Sequence, residues 1–222
     1  MYERIEWQLI DELGVDATIV GIDEATYSPH LALDCVVAAV FMPLPRAVRK
    51  ALRDSKFCTP QQLLEQYAWV VENSVFAVVP AHPRMIALLG VTQARDLATR
   101  AAIRLVADEL LMRYGKPLGS VDLIIADLGY RSLKTCSIRH YLEAGQHSTI
   151  VAAAGTLAKI TSVALAGGYA ALWPGYGLEH NAGCASKEHV AMLREAGPTP
   201  VHRHGGRYAR EWWRRILAQK RP

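Results

Sequence analysis

Two short apolar runs, each broken off by acid, constrain this chain more than any other feature. "ATIVGIDEA" carries Ile19, Val20 and Ile22 into the adjacent carboxylates Asp23 and Glu24. "VDLIIADLG" carries Leu123, Ile124, Ile125 and Ala126 into Asp127. A run apolar at successive positions, not at alternate ones, suits a strand covered on both faces, as parallel strands are. Strands of one parallel set end at the same edge of the sheet, where α/β folds commonly hold ligands. Asp23, Glu24 and Asp127 are therefore expected to converge at one edge. Neighbouring carboxylates raise one another's pKa unless a cation offsets them, and hard oxygen donors suit Mg²⁺. The plainer alternative is that the acids only cap their strands and open turns.

The rest of the chain reads as strands first and helices later. "DCVVAAVFMP" and "VFAVVP" are expected strands, and residues 85–113 have helical spacing that ends near Gly115. Residues 148–172 form an Ala-rich helix stopped by Pro174, and "SKEHVAMLREAG" is a helix capped by Ser186. "GRYAREWWRRILAQK" is an amphipathic closing helix. With 222 residues there is enough chain for a sizeable core. The expected organisation is one α/β or α+β domain over residues 1–175, with residues 176–222 as a helical extension packed on it.

Composition narrows the function classes. The four cysteines are scattered with no CxxC, so neither a zinc cage nor a disulfide framework is expected, and a reducing cytoplasm fits. The apolar stretches are interrupted by Gly, Pro or charge, and no membrane span is expected. Serine-hydrolase and phosphate-loop glycine patterns are missing. The net charge is only +4, but Arg203, Arg207, Arg210, Arg214, Arg215, Lys220 and Arg221 face Glu211 alone near the C-terminus. With Trp212 and Trp213 among them, this segment suits a polyanion or a protein partner; both Trp packing inward is the other reading.

Several blocks, in order from residue 19 to about 210, resemble type 2 ribonucleases H. "GIDEATYSPHLALDCVVAAVFM" is similar to G-[IV]-D-E-[AV]-G-R-G-P-x-x-G-x-[VL]-V-x-A, and "DSK" at 54–56 matches a family element. "LGVTQARDLATRAA", "LIIADLG" and "AAAGTLAKIT" resemble further family segments. "PGYGLEHNAGCASKEHVAMLREAGPTPVHR" runs without a gap against the family's P-G-Y-G…H-R stretch.

The resemblance implies a ribonuclease H-like mixed five-stranded sheet flanked by helices, with a C-terminal helical region. It implies metal-dependent hydrolysis of the RNA in RNA–DNA hybrids, using Mg²⁺ or Mn²⁺ held by Asp23, Glu24 and Asp127. It also implies nucleic-acid contacts from Lys56, Tyr27, Ser28, Lys159, His202, Arg203 and Arg207. The departures are concentrated. The family's fourth acid falls at Val163, with Asp34, Asp122, Glu143 and Glu179 as candidate replacements. The G-R-G that reads the sugar is Thr26-Tyr27-Ser28, the junction Tyr is Cys184, and the K-G-D is Ala144-Gly145-Gln146. Two functions follow from this pattern: a divergent, weak endonuclease with relaxed junction specificity, or a catalytically inactive nucleic-acid-binding or assembly subunit.

Overall fold

The computed structural model describes residues 4–27, 30–116, 121–130, 137–204 and 207–218. Its elements begin with α1 (Ile5–Leu13), β1 (Ile19–Ala25), β2 (Cys35–Phe41), α2 (Leu44–Arg49), α3 (Pro60–Asn73) and β3 (Val75–Ala81). Then come α4 (Pro83–Leu89), α5 (Val91–Tyr114), β4 (Leu123–Asp127) and β5 (Ile138–Tyr141). The chain continues through α6 (Ala144–His147), α7 (Thr149–Leu172), α8 (Leu178–Asn181), α9 (Lys187–Glu195) and α10 (Arg207–Ala218). The five strands form one mixed sheet in the order β3-β2-β1-β4-β5.

Its centre is the parallel pair expected from the two acid-ended runs. Ile19 pairs with Leu123, Val20 with Ile124 and Gly21 with Ile125, and β5 continues the parallel set alongside β4. On one face, Val20, Ile22, Ile124 and Ala126 bury themselves with Ala102, Val106 and Leu110 of α5. On the other face α7 lies close: a Cβ added at Gly21 would stand 2.8 Å from the Ile150 backbone. Only a residue without a side chain admits that approach.

By contacts the chain forms two compact units. One takes in the chain up to Glu24, Val37–Val79 and Ala98–Ile160; the other takes in Ala25–Val36, Pro80–Leu97 and the chain from Thr161. The helix expected over 85–113 is two helices, because Gly90 at φ +80 ends α4 and its amide bonds the Ile86 carbonyl. Ser186 caps α9 as expected, accepting from the His189 amide at 3.2 Å.

One expectation needs correcting. α7 is long and apolar enough to cross a membrane, with mean hydropathy 1.6 over its best 18 residues. Its glycines do not interrupt the helix. However, 61% of that stretch is buried inside the protein, as in a core helix.

Candidate active site at the carboxyl ends of β1 and β4

Extending the β1/β4 register by two residues sets Asp23 opposite Asp127. Side chains alternate across a strand, so both project to the face that carries Gly21 and α7, whereas Glu24 turns to the face of Val20 and Ile22. The backbone thus sets both aspartates at the carboxyl edge of the same strand pair, with Glu24 next to Asp23 along the chain. Among the described residues, no three His, Cys, Asp or Glu side chains are gathered at metal-holding spacing. The arrangement is a pair with acidic neighbours, not a finished cage.

The surroundings of Asp23 are unusual. α7 crosses above it, and a Cβ built on Gly155 would lie 2.5 Å from Asp23 Oδ2 and 3.5 Å from Ser55 Oγ. The Glu24 amide donates to Asp23 Oδ1 at 2.9 Å. Burial pushes the Asp23 carboxyl well above the usual carboxylate range, and the Glu24 carboxylate pushes it the same way. The Glu24 amide and the Lys56 ammonium pull it partly back, and Asp54 raises it again. A carboxylate so crowded by its own charge favours whatever brings positive charge, and the donors here are hard oxygens. The donor types present suit a divalent ion, and Asp23 and Asp127 are the residues that would hold it, with Glu24 on the opposite face of β1.

Asp54 is a residue that the sequence reasoning missed. The "DSK" match drew attention to Lys56 alone, yet Asp54 is the buried member. Its Oδ1 accepts from the Lys56 amide at 2.9 Å, which folds residues 55–57 into a short helical turn. That turn leaves Lys56 exposed while its charge acts on Asp23. Lys159 is also exposed, one turn of α7 beyond Gly155. His140 on β5 approaches from the other side, with Nδ1 3.3 Å from the Asp127 carbonyl oxygen.

Of the candidate replacements for the fourth acid, Asp122 is at the wrong end of β4, where Oδ2 accepts from the Thr18 amide at 2.7 Å. Glu143 is exposed in a turn before α6, and Glu179 lies 3.6 Å from His180. Asp34 is buried, its carboxyl raised by burial and hydrogen-bonded by Tyr169. Val163 itself is 54% exposed.

Two residues expected to contact nucleic acid directly do something else. Arg203 is 3% exposed. Its guanidinium donates to the Leu33 carbonyl at 2.8 Å, the Tyr27 carbonyl at 2.8 Å and the Thr26 carbonyl. A guanidinium spent on three main-chain acceptors braces the backbone at Thr26, Tyr27 and Leu33 and is not offered to a phosphate. Tyr27 is held from other directions: its hydroxyl is 2.9 Å from Thr92 Oγ1, and the buried Arg95 guanidinium lies 4.6 Å from its ring centre. Thr26 takes φ +58, a left-handed conformation that is a genuine outlier for a β-branched residue and natural for the glycine of the family pattern. Ser28, and the side chain of Arg207, lie outside the described residues.

His202 is likewise buried, for the length of a hydrogen-bonded relay. His189 Nδ1 lies 2.6 Å from the Cys184 carbonyl, so it carries the proton, and His189 Nε2 accepts from His202 Nε2 at 2.9 Å. His202 Nδ1 then accepts from the Thr199 amide at 2.9 Å. This relay leaves no place for a further proton. Burial, reinforced by His189, pushes His202 down to about 4, and burial lowers His189 as well.

A histidine whose folded-state pKa is depressed takes up its proton first in the unfolded chain. Its stabilising contribution is complete above about pH 6.5 and is lost as pH falls toward 4, at a cost of about 3 kcal/mol. The urea midpoint is expected to drop across that window, and His202→Gln to flatten the drop. An unchanged slope in His202→Gln would contradict the relay.

α10 packs its Trp pair inward in part. Trp213 Nε1 donates to the Arg203 carbonyl at 3.1 Å, His204 stacks on its ring, and Trp212 and Trp213 both pack against the Leu193–Ile216 cluster. Arg210, Arg214 and Arg215 stay exposed.

No family model matches the chain. Curated relatives do. Ribonuclease HII of Desulfitobacterium hafniense (strain Y51) is 32% identical over 210 residues, covering 90% of this chain and 74% of the relative. The chain belongs to the ribonuclease HII family. Ribonuclease HII of Geobacter sulfurreducens is 30% identical over 196 residues, covering 87% and 84%. That of Lactobacillus delbrueckii subsp. bulgaricus is 31% identical over 190 residues, and the match spans 66% of its length, just under two thirds.

Solved structures support the fold. Bst-RNase HIII in complex with Mn²⁺ superposes with a TM-score of 0.71 at 16% identity, covering 96% of this chain and 73% of that one. Ribonuclease HII in the PCNA complex from Archaeoglobus fulgidus gives a TM-score of 0.64 at 17% identity, covering 92% and 97%. Membership in the ribonuclease HII family accounts for the mixed sheet.

Proposed function

We propose that this chain is a divergent ribonuclease HII-type endonuclease that cuts the RNA strand of RNA–DNA hybrids in the cytoplasm. The observation that carries this reading is the parallel register of β1 on β4, Ile19 to Gly21 against Leu123 to Ile125, which carried on by two residues puts Asp23 level with Asp127. Those two aspartates and Glu24 hold Mg²⁺ or Mn²⁺. When bound, such an ion lowers the pKa of its water and stabilises charge on the transferring phosphate. The Lys56 ammonium, a compact point charge on an exposed turn, holds the phosphate beside the acids.

Turnover is low, because the fourth acid of the family pattern is Val163 and valine has no donor atom. Junction specificity is relaxed, because the sugar-reading G-R-G has become Thr26-Tyr27-Ser28 and the Tyr27 side chain is tied to Thr92 and Arg95. Like the Archaeoglobus relative in its PCNA complex, the chain has a protein partner, docked through the Trp/Arg face of α10.

A catalytically silent nucleic-acid-binding subunit is the second reading. It is favoured by Val163 together with the lack of a three-donor cluster among the described residues. One assay separates the two. Labelled RNA–DNA hybrid is incubated with Mg²⁺ or Mn²⁺, beside filter binding in EDTA. Metal-dependent product is expected; tight, salt-sensitive binding with no product under either ion would overturn the nuclease reading.

A further inference from the structure

The segment between α2 and α3 holds a charge run with more cations than the chemistry at Asp23 uses. Arg46, Arg49, Lys50, Arg53 and Lys56 fall within eleven residues, with Asp54 the one acid among them, and all five cations are exposed. Beside this run lies a cleft of about 480 Å³, walled by Arg4, Arg53, Asp54, Phe57 and Gln146, with Ala51 and Leu52 as its apolar part.

The cleft is built rather than incidental. Arg53 has its main chain fixed on both sides by one side chain: its amide donates to Gln66 Oε1 at 2.7 Å and its carbonyl accepts from Gln66 Nε2 at 3.0 Å. Its guanidinium makes no ion pair among the described residues. Arg4 is steadied across the cleft by a hydrogen bond to Thr149 Oγ1. Asp54 is only 7% exposed and its Oδ1 is occupied by the Lys56 amide, so the two guanidiniums outnumber the one acid in the lining and the cleft is positive on balance. Phe57 is 52% exposed, a large aromatic surface held at the rim.

We propose that this cleft binds one nucleotide of the nucleic-acid strand that leaves the cutting site. Its phosphate lies between the Arg4 and Arg53 guanidiniums and the Gln146 amide, and its sugar and base lie against Phe57. Guanidinium forks match phosphate oxygens two at a time, and an exposed ring beside cations is the usual platform for a base. The volume suits a group of nucleotide size.

The same short turn connects the two places. Ser55 and Lys56 face the Asp23 side, while Arg53, Asp54 and Phe57 line the cleft. A strand held by Lys56 at one phosphate is thereby handed to Arg53. This also gives Gln146 a use: it stands where the family pattern has the acid of K-G-D, and an amide accepts a phosphate that an acid would repel. The inference rests on the proposed function, since it takes the bound strand to run past the acids.

The test is equilibrium binding of the full chain to an RNA–DNA hybrid in EDTA over a salt series, so that cleavage has no part in the readout. Arg53→Ala is expected to weaken binding several-fold and to lower the slope of log K against log salt by about 0.9. Phe57→Ala is expected to weaken it by about tenfold with the slope unchanged. Hybrids carrying a single neutral methylphosphonate locate the contact. At one register the wild type loses affinity, and Arg53→Ala then loses nothing further. The inference is overturned if Arg53→Ala and Phe57→Ala, folded by circular dichroism, bind like the wild type. It is equally overturned if the two losses add at every register. Wild-type binding with these effects but no metal-dependent cleavage would leave the cleft standing and remove only the nuclease reading.

Discussion

Asp23→Asn is expected to reduce metal-dependent cleavage of an RNA–DNA hybrid by roughly 10³-fold, the kinetic equivalent of several kcal/mol of charge stabilisation. Asparagine keeps the shape and can still accept from the Glu24 amide, so the sheet is expected to survive intact. What changes is charge. Burial first, and the Glu24 and Asp54 charges after it, resist the ionisation of Asp23, so a cation there matters greatly. Asp127→Asn is expected to do the same, because Asp127 ends β4 two residues past Ile125 as Asp23 stands two residues past Gly21 on β1. Single-turnover cleavage with Mn²⁺ checks both. Undiminished cleavage by Asp23→Asn would refute the site.

Gly155→Ala is expected to part activity from stability. In the middle of a helix, alanine gains about 1 kcal/mol over glycine. Here the added methyl would also stand 2.5 Å from Asp23 Oδ2, which lies at the far end of a side chain and not in the main chain. The carboxylate can therefore swing away at little cost to the fold, and the site loses its leading ligand. The expected result is a thermal midpoint equal to or above that of the wild type, with cleavage lowered by about 10²-fold or more. A variant that melts early would show that Asp23 cannot yield. One that cleaves normally would show that Asp23 is not where the ion sits.

The parts of this fold that could be read from sequence are those in which local pattern and tertiary role agree. The two acid-ended runs are buried parallel strands, and Ser186 and Gly197 bracket α9 as their chemistry dictates. β5 was not located, because "IRHY" is four half-buried residues with no apolar run. α3 was passed over, since its Leu63 and Val70 are the few buried positions in an otherwise exposed helix.

What surrounds the acids was not legible. A motif match gives Lys56 and Arg203 equal standing as phosphate ligands. Burial separates them, and burial depends on carbonyls at Thr26, Tyr27 and Leu33, some 170 residues away in the chain. Asp54 escaped notice for the converse reason: nothing in "RDSKF" says that the acid turns inward and the lysine outward.

The tie between α1 and the start of α7 has a consequence for how the molecule is made. Glu6 on α1 is fully buried, accepting from Ser148 Oγ at 2.7 Å and from the Ile150 amide at 3.0 Å, partners 142 and 144 residues further on. A nascent chain leaving the ribosome amino end first must hold this carboxylate in water until its partners, more than 140 residues further on, have been translated. The opening helix is thus a late arrival in its own fold, locking only when the long Ala-rich helix emerges to receive it.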